Sequence, residues 1–229
     1  MAALIETRLR TRFVAALVAL VLLAPAGCTN PFQPATPEAP LGASVPENFK
    51  SRDGVLQTIQ AAIAAQSPAG SVAYMHALAE STSSTTHEFY AFHSDSVVLA
   101  WRPSSQHDPP AIWGRALESH LYDYLTGEVA QGQSLAMVFT TDPDSPNPEI
   151  DEVAGTALIH QHYVLQRYNA DGSRLEIVAV GNADLSMYRV NGNWSIYRWQ
   201  DRLDPQYGVN PSPTERRSMS WRRLDSLSH

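Results

Sequence analysis

Two histidines one residue apart are the first candidates for chemistry in this chain of 229 residues. His160 and His162 stand in the run ALIHQHYVLQRY, whose composition is typical of a β-strand. Residues i and i+2 of a strand share a face about 7 Å apart, so the two imidazoles could bind a metal or move a proton. They could equally face solvent. We therefore predict neither a metal nor a cofactor, and keep the pair as candidates for acid–base catalysis.

Carboxylates on the predicted strands are a second source of chemistry. Glu176, Asp184 and Asp201 would each be of interest if buried, because burial raises the pKa of a carboxyl group. Asp201 follows Arg198 by three residues and precedes Arg202, so its simplest role is an ion pair at the sheet edge. No G-x-S-x-G, G-x-G-x-x-G or Walker A motif occurs, and these motifs would have indicated a nucleophile or a nucleotide site.

Large aromatic residues occur in nearly every predicted element. In the last strand, alternation predicts Trp194 and Ile196 on one face, with Tyr197 and Trp199 on the other. Strands that are apolar on both sides indicate a sheet buried on both faces, one by helices and the other by a partner or by the tail. Scattered, exposed aromatics are the alternative. The candidate pocket or interface residues are Tyr90, Trp101, Trp113, Tyr163, Tyr188, Tyr197 and Trp199.

The single cysteine, Cys28, follows what we interpret as an export signal. The apolar run Phe13–Leu23 comes after three arginines and is too short for a membrane span, which needs about 20 residues. Ala26-Gly27-Cys28 resembles the bacterial lipobox, whose cysteine is lipidated, whereas Ala24-Pro25-Ala26 fits ordinary signal peptidase. We predict that residues 1–27 are a lipoprotein signal peptide and that Cys28 carries the lipid.

The charge balance limits the partners of the mature protein. Residues 28–213 hold nine basic and 20 acidic side chains, which argues against nucleic-acid binding and against attraction to an anionic bilayer. The lipid would then be the anchor and the cell envelope the location. In the lipoprotein family, the absence of Asp at position 29 implies the outer membrane in a Gram-negative cell.

The chain is predicted to consist of a signal, a tether, one domain and a tail. Within residues 28–46, prolines fall at every third position from Pro31 to Pro40 and again at Pro46, which suits polyproline II and a reach of about 55 Å. Residues 47–202 form the domain, and residues 203–229 form a tail with four arginines. We expect this tail to dock on the acidic domain through Trp221, over the outer aromatic face.

Helices are predicted in the first half of the domain. The first begins near Ser51 and is broken at Pro68 and Gly70, and the second follows Ser71. A third is opened by Asp108-Pro109-Pro110, carries an apolar stripe and ends at Gly127. That stripe consists of Trp113, Leu117, Leu121, Tyr124 and Leu125.

Strands are predicted in the remainder. HEFYAFHS and VVLAW are two short ones, and LAMVFTT begins a meander of four long antiparallel strands. Asp171-Gly172 and Asn191-Gly192 are hairpin signals within that meander. The acidic segment DPDSPNPEIDEVAG lacks the spacing of a calcium loop and is predicted to be a solvated loop.

This order resembles the nuclear-transport-factor-2-like family, which includes SnoaL-like and cystatin-like domains. The resemblance covers about 47–202 and rests on YMHALA before EFYAF, on the helix opened by Trp113-Gly114-Arg115, and on the ending GNADLSMYRVNGNWSIYRWQD. It implies an α+β fold in which three N-terminal helices pack on a curved antiparallel sheet, with a pocket between them. Enzymes of the family place a carboxylate or histidine in that pocket, but no motif here matches theirs.

Three hypotheses about function follow. The first is a membrane-tethered, non-enzymatic domain that binds a small apolar ligand or a protein. The second is an isomerase, dehydratase or hydrolase that uses a pocket histidine or carboxylate. The third, which overlaps the first, is a subunit of an envelope assembly whose outer sheet face binds another protein or a second copy.

Overall fold

The structure is a computed structural model that describes residues 44–82, 87–93, 97–98, 101, 109–110, 112–203 and 218–229. Cys28 and the predicted signal and most of the predicted tether lie outside these residues. Within the described part of the chain, no helix is both long enough and apolar enough to cross a membrane.

The first helix, α1 (Arg52–Ala65), begins where the sequence predicts. The Ser51 hydroxyl accepts a hydrogen bond from the Gly54 amide at 3.0 Å, which satisfies one of the amides that a helix start leaves free. Val55, Ile59 and further apolar residues at helical spacing are buried. This face packs on the sheet.

The second helix, α2 (Pro68–His76), begins earlier than predicted. The break lies at Gln66, whose φ of 46° ends α1, and Ser67 then caps α2. The sequence predicts a break at Pro68, but this proline opens a helix, because the first helical position needs no amide hydrogen. Gly70 lies inside α2, where a Cβ would clash with the Tyr122 hydroxyl.

The third helix, α3 (Arg115–Gly127), ends at the predicted glycine but does not start after Asp108. Its N-cap is Gly114, and Trp113 belongs to a short strand. Arg115 Nη1 donates to the carbonyl of Met75 at 2.8 Å, which ties the start of α3 to the end of α2. The buried side of α3 includes one charged residue, Glu118.

Within the described part of the chain, seven strands form one mixed sheet: β1 Tyr90–Phe92, β2 Trp113–Gly114, β3 Ser134–Thr141, β4 Glu149–Asp151, β5 Thr156–Tyr168, β6 Arg174–Val190 and β7 Asn193–Leu203. Their order is β2-β1-β7-β6-β5-β3, with β4 paired to β5. The four long strands are antiparallel neighbours in chain order, as predicted, while β1 runs parallel to β7.

Two short segments differ from their predictions. Val97, Val98 and Trp101 of VVLAW are helical rather than extended, although their β-branched and aromatic composition favours strands. The acidic segment between β3 and β5 is not all loop, because β4 adds three residues to the sheet there.

A β-bulge in β7 changes which residues share a face. Met187 of β6 pairs with Ile196 and Ser186 pairs with Arg198, so Tyr197 is an extra residue. Strict alternation therefore fails: Ile196 and Trp199 both lie in the core, together with Trp194. The prediction that Trp194 and Trp199 point to opposite faces is wrong for this reason.

The core lies between one face of the sheet, here called the inner face, and the helices. The predicted fold class is confirmed: α1, α2 and α3 cover a curved, largely antiparallel sheet in an α+β arrangement. A fourth helix, α4 (Met219–Ser226), also contributes a buried residue, Met219, to this core. The opposite side of the sheet is called the outer face below.

The β6–β7 hairpin provides a local test of the fold. Gly192 has a φ of +77°, a left-handed conformation that costs other residues about 1–2 kcal/mol. We expect Gly192→Ala to lower the free energy of unfolding by about 1 kcal/mol. Gly127 is the matched control, since a methyl group added there would meet nothing within 4 Å and its φ is not in that region. Gly127→Ala should be neutral or stabilising in chemical denaturation, and equal losses in both variants would contradict the assignment.

Candidate functional site

The interior of the domain contains a charged pair at the point where α4 meets α3. Arg223 of α4 and Glu118 of α3 are both completely buried. Arg223 Nε donates to Glu118 Oε2 at 2.8 Å and Nη2 donates to Oε1 at 2.9 Å, which is a bidentate contact. Arg223 Cζ also lies 4.9 Å from the ring centroid of Trp199 on the sheet.

Two neutral donors orient the Glu118 carboxylate from the other side. The Tyr74 hydroxyl donates to Oε1 at 2.8 Å, and Trp113 Nε1 donates to Oε2 at 2.6 Å. Burial alone would raise the pKa of Glu118, but the Arg223 guanidinium and these hydrogen bonds outweigh it, so the pKa lies below its ordinary value. The carboxylate is therefore ionised inside the protein.

A second buried acid, Asp201, lies beside this pair and also binds α4. Its carboxylate accepts from the Tyr163 hydroxyl and, at 2.6 Å, from the Ser220 amide, and the Tyr163 oxygen accepts from the Met219 amide at 2.8 Å. Burial raises the pKa of Asp201, with Arg223 opposing the rise. The prediction of an ion pair at the sheet edge is wrong, because the bulge turns Asp201 to the inner face, where it is 1% exposed.

An uncharged histidine faces the same cluster. Burial first, and then the positive charge of Arg223, lower the pKa of His93 to about 4, although Glu118 opposes the change. The imidazole packs edge-on against Trp113 at 5.4 Å between ring centroids. Neither ring nitrogen has a hydrogen-bond partner among the described residues, so His93 is held neutral without being fixed by a hydrogen bond.

Helix α4 is held at the inner face by backbone contacts as well. Arg222 Nε donates to the Val178 carbonyl of β6 at 2.7 Å, and the Ser226 carbonyl contacts His120 Nε2 of α3 at 2.8 Å. The helix thus bridges α3 and the sheet at the site where Glu118 and Asp201 lie.

The topology places this site between helices and sheet. Four antiparallel strands form a meander that α1 to α3 cover, and β1 lies between β2 and the last strand, β7. The chain has the nuclear-transport-factor-2-like fold. Helix α4 follows the last strand and lies between α3 and the inner face.

The solved structures to which this chain is similar are distant from it in sequence. One from Mycobacterium tuberculosis, of unknown function, is 14% identical over 77% of this chain and 91% of its own, with a TM-score of 0.49. A candidate scytalone dehydratase from Novosphingobium aromaticivorans is 10% identical over 66% of this chain and 79% of its own, with a TM-score of 0.41. A protein with a cystatin-like fold from Nostoc punctiforme is 12% identical over 66% of this chain and 86% of its own, with a TM-score of 0.38. No protein-family profile and no curated protein sequence matches the chain.

The histidine pair does not belong to this interior site. His160 and His162 alternate along β5 with Tyr163, whose hydroxyl is in the interior, so they lie on the outer face. His160 Nδ1 lies 2.8 Å from Asp184 Oδ1 of β6. Among the described residues, no group of three or more histidine, cysteine or acidic side chains could hold a metal.

The aromatic candidates separate into four groups. Trp113, Tyr163 and Trp199 contact the interior site, and Trp101 packs with Leu224 of α4 in a small cluster of its own. Tyr188 and Tyr197 lie together on the outer face, where the His87 ring stacks on Tyr188 with centroids 4.5 Å apart. Tyr90 lies near the sheet edge against Phe92.

The carboxylate candidate Glu176 forms an ion pair with Arg167, with 2.7 Å between Oε1 and Nη1.

The sequence interpretation missed the central pair and misplaced the anchor of the tail. Trp221 is only partly buried, whereas Arg223 is the fully buried residue of α4, and α4 packs at the inner rather than the outer face. The sequence did contain a sign of the buried acid. Glu118 lies three residues before Leu121 of the predicted apolar stripe, and residues at this spacing share a helix face, so the Glu118 side chain is expected on the buried side of the helix.

The ion pair predicts strong energetic coupling between Glu118 and Arg223. Removing one partner of a buried pair leaves a charge unpaired, so Arg223→Met should cost about 3–5 kcal/mol of unfolding free energy. The double variant Glu118→Leu/Arg223→Met should cost less than the sum of the singles by about 2–3 kcal/mol. Chemical denaturation measures all four corners of the cycle.

The matched control is the exposed pair of Arg52 and Glu152, 3.1 Å apart with Glu152 59% exposed. Its coupling should be below about 1 kcal/mol. Additive losses for Glu118 and Arg223, or equal coupling in the two cycles, would contradict a buried ion pair.

His93 predicts a loss of stability in mild acid. Its folded pKa is about 4 and its ordinary value is 6.5, so the unfolded chain takes up a proton first as pH falls. Between pH 7 and pH 5 the wild type should therefore lose about 2 kcal/mol more unfolding free energy than His93→Phe. Equal losses in wild type and His93→Phe would refute the assignment.

Proposed function

We propose that the protein is a lipid-anchored component of the cell envelope whose nuclear-transport-factor-2-like domain acts by binding and not by catalysis. The mature chain would begin at Cys28 and carry the domain on its proline-rich tether. The outer membrane is the proposed location in a Gram-negative cell.

One observation carries the binding assignment. The acids that could serve chemistry in the interior, Glu118 and Asp201, are already bound by groups of α4: the Arg223 guanidinium and the Ser220 amide. A general acid or base must reach its substrate within hydrogen-bond distance. In this arrangement the chain's own helix takes the position that a substrate would need, so the geometry supports recognition of a helical segment better than turnover.

The outer face is the proposed contact surface for an envelope protein or a second copy. The ring cluster of His87, Tyr188 and Tyr197 supports this, since aromatic side chains are enriched at protein interfaces. Val138 at 45% exposure adds apolar area on the same face. A small apolar ligand is the alternative occupant of the domain.

A second candidate function, catalysis after release of α4, is favoured by one specific contact. The Tyr163 hydroxyl donates to Asp201, whose pKa is raised by burial. Such a group could exchange protons with a small substrate. This candidate requires α4 to leave the inner face during each turnover.

Membrane fractionation tests the anchor. Cys28→Ser should move the protein from the membrane to the soluble fraction, because the thiolate that accepts the lipid is absent. Thr29→Ala, which leaves the cysteine in place, should remain membrane-bound. Retention of the Cys28→Ser protein in membranes, or a mature N-terminus at Gly27, would contradict lipidation.

Native mass spectrometry of the mature protein extracted from its own envelope tests binding against catalysis. We expect a stoichiometric partner or ligand whose mass does not change during incubation. A protein recovered alone would contradict a binding function, and conversion of a retained molecule to a product of different mass would favour the enzyme.

A further inference from the structure

We propose that the interior of the domain is a guanidinium-binding site, filled in cis by Arg223, which also takes the arginine side chain of a peptide supplied in trans. The inference depends on the proposed binding function and gives the chemical class of its ligand.

The anionic part of the site is built without any help from the tail. Glu118 is oriented by Tyr74 of α2 and Trp113 of β2, at 2.8 and 2.6 Å, and both residues precede α4 by about 100 positions or more in the chain. Both Glu118 oxygens lie within 2.9 Å of guanidinium nitrogens. The carboxylate therefore keeps its orientation when the cation is exchanged for another.

The shape of the site selects a planar cation. Two parallel N–H donors meet the two carboxylate oxygens, while the Trp199 ring lies 4.9 Å from the central carbon. A guanidinium offers a rigid fork and a flat face, whereas an ammonium is a compact point charge that makes neither contact in the same way. An alkylammonium or a neutral isostere such as urea should therefore bind much more weakly.

The present occupant is carried by a short helix. Helix α4 spans eight residues, too few to be stable alone, so its helical form depends on the contacts it makes in the domain. Residues 204–217 connect it to β7. Tethering gives Arg223 a high effective concentration, so a competing ligand is best tested when the Arg223 side chain is removed.

Chemical rescue of Arg223→Ala in the full mature chain tests the proposal. Methylguanidinium should raise the melting temperature of this variant in a saturable way, with an apparent dissociation constant in the millimolar range, and should shift the Trp113 indole N–H resonance. Methylammonium and urea at equal concentration should do neither. The wild type, whose site is filled, and Glu118→Gln/Arg223→Ala, whose carboxylate is gone, should not respond to methylguanidinium.

A second arm separates a free alkylguanidinium from an arginine in a peptide. A synthetic peptide of residues 218–229 should produce the same indole shift in Arg223→Ala, at a lower concentration than methylguanidinium, whereas the peptide carrying Arg223→Ala should not. A response to methylguanidinium alone would restrict the ligand to small guanidinium compounds and overturn the peptide part of the proposal.

The outcome remains decisive if Arg223→Ala does not fold. The variant is then refolded with each additive, and folding in methylguanidinium but not in urea or methylammonium supports the site. No response to any guanidinium compound overturns it. Since the native mass spectrum uses the wild type, a partner retained there together with a failed rescue would reject only the ligand class, and the binding function would stand.

Discussion

An ionised carboxylate inside a protein needs a partner, and here the partner comes from the far end of the chain. Glu118 is completely buried on the apolar side of α3, where an unpaired charge would cost several kcal/mol. Arg223 removes that cost with two hydrogen bonds, and Tyr74 and Trp113 satisfy the remaining acceptor positions. The position of α4 follows from this requirement, because no other segment brings a cation to Glu118 among the residues described.

The surrounding groups take their properties from the same pair. The positive charge of Arg223 helps to keep His93 neutral and opposes the rise in the pKa of Asp201 that burial causes. Asp201 in turn accepts from the Ser220 amide near the start of α4. The interior is therefore one connected polar network, in which Arg223 and the Ser220 amide of α4 join Glu118 to Asp201.

The local features of the fold were predictable and the site was not. Ser51 as a cap and the Asn191-Gly192 turn are encoded by neighbouring residues, whose side chains or backbone angles fix the geometry. The contact between Glu118 and Arg223 spans 105 positions, so no local pattern reports it. The bulge at Tyr197 likewise depends on pairing with β6, and it reversed the expected orientation of the residues beyond it, including Asp201.

Amide hydrogen exchange at α4 tests the central claim most directly. The Met219 amide donates to the Tyr163 hydroxyl at 2.8 Å and the Ser220 amide donates to Asp201 at 2.6 Å, both in the buried interior. If α4 is an integral part of the domain, both amides should exchange at least about a thousandfold more slowly than in an unstructured peptide, with rates close to those of β6. Exchange within about tenfold of the unstructured rate, while β6 remains protected, would show that the domain folds without its tail and would contradict the account.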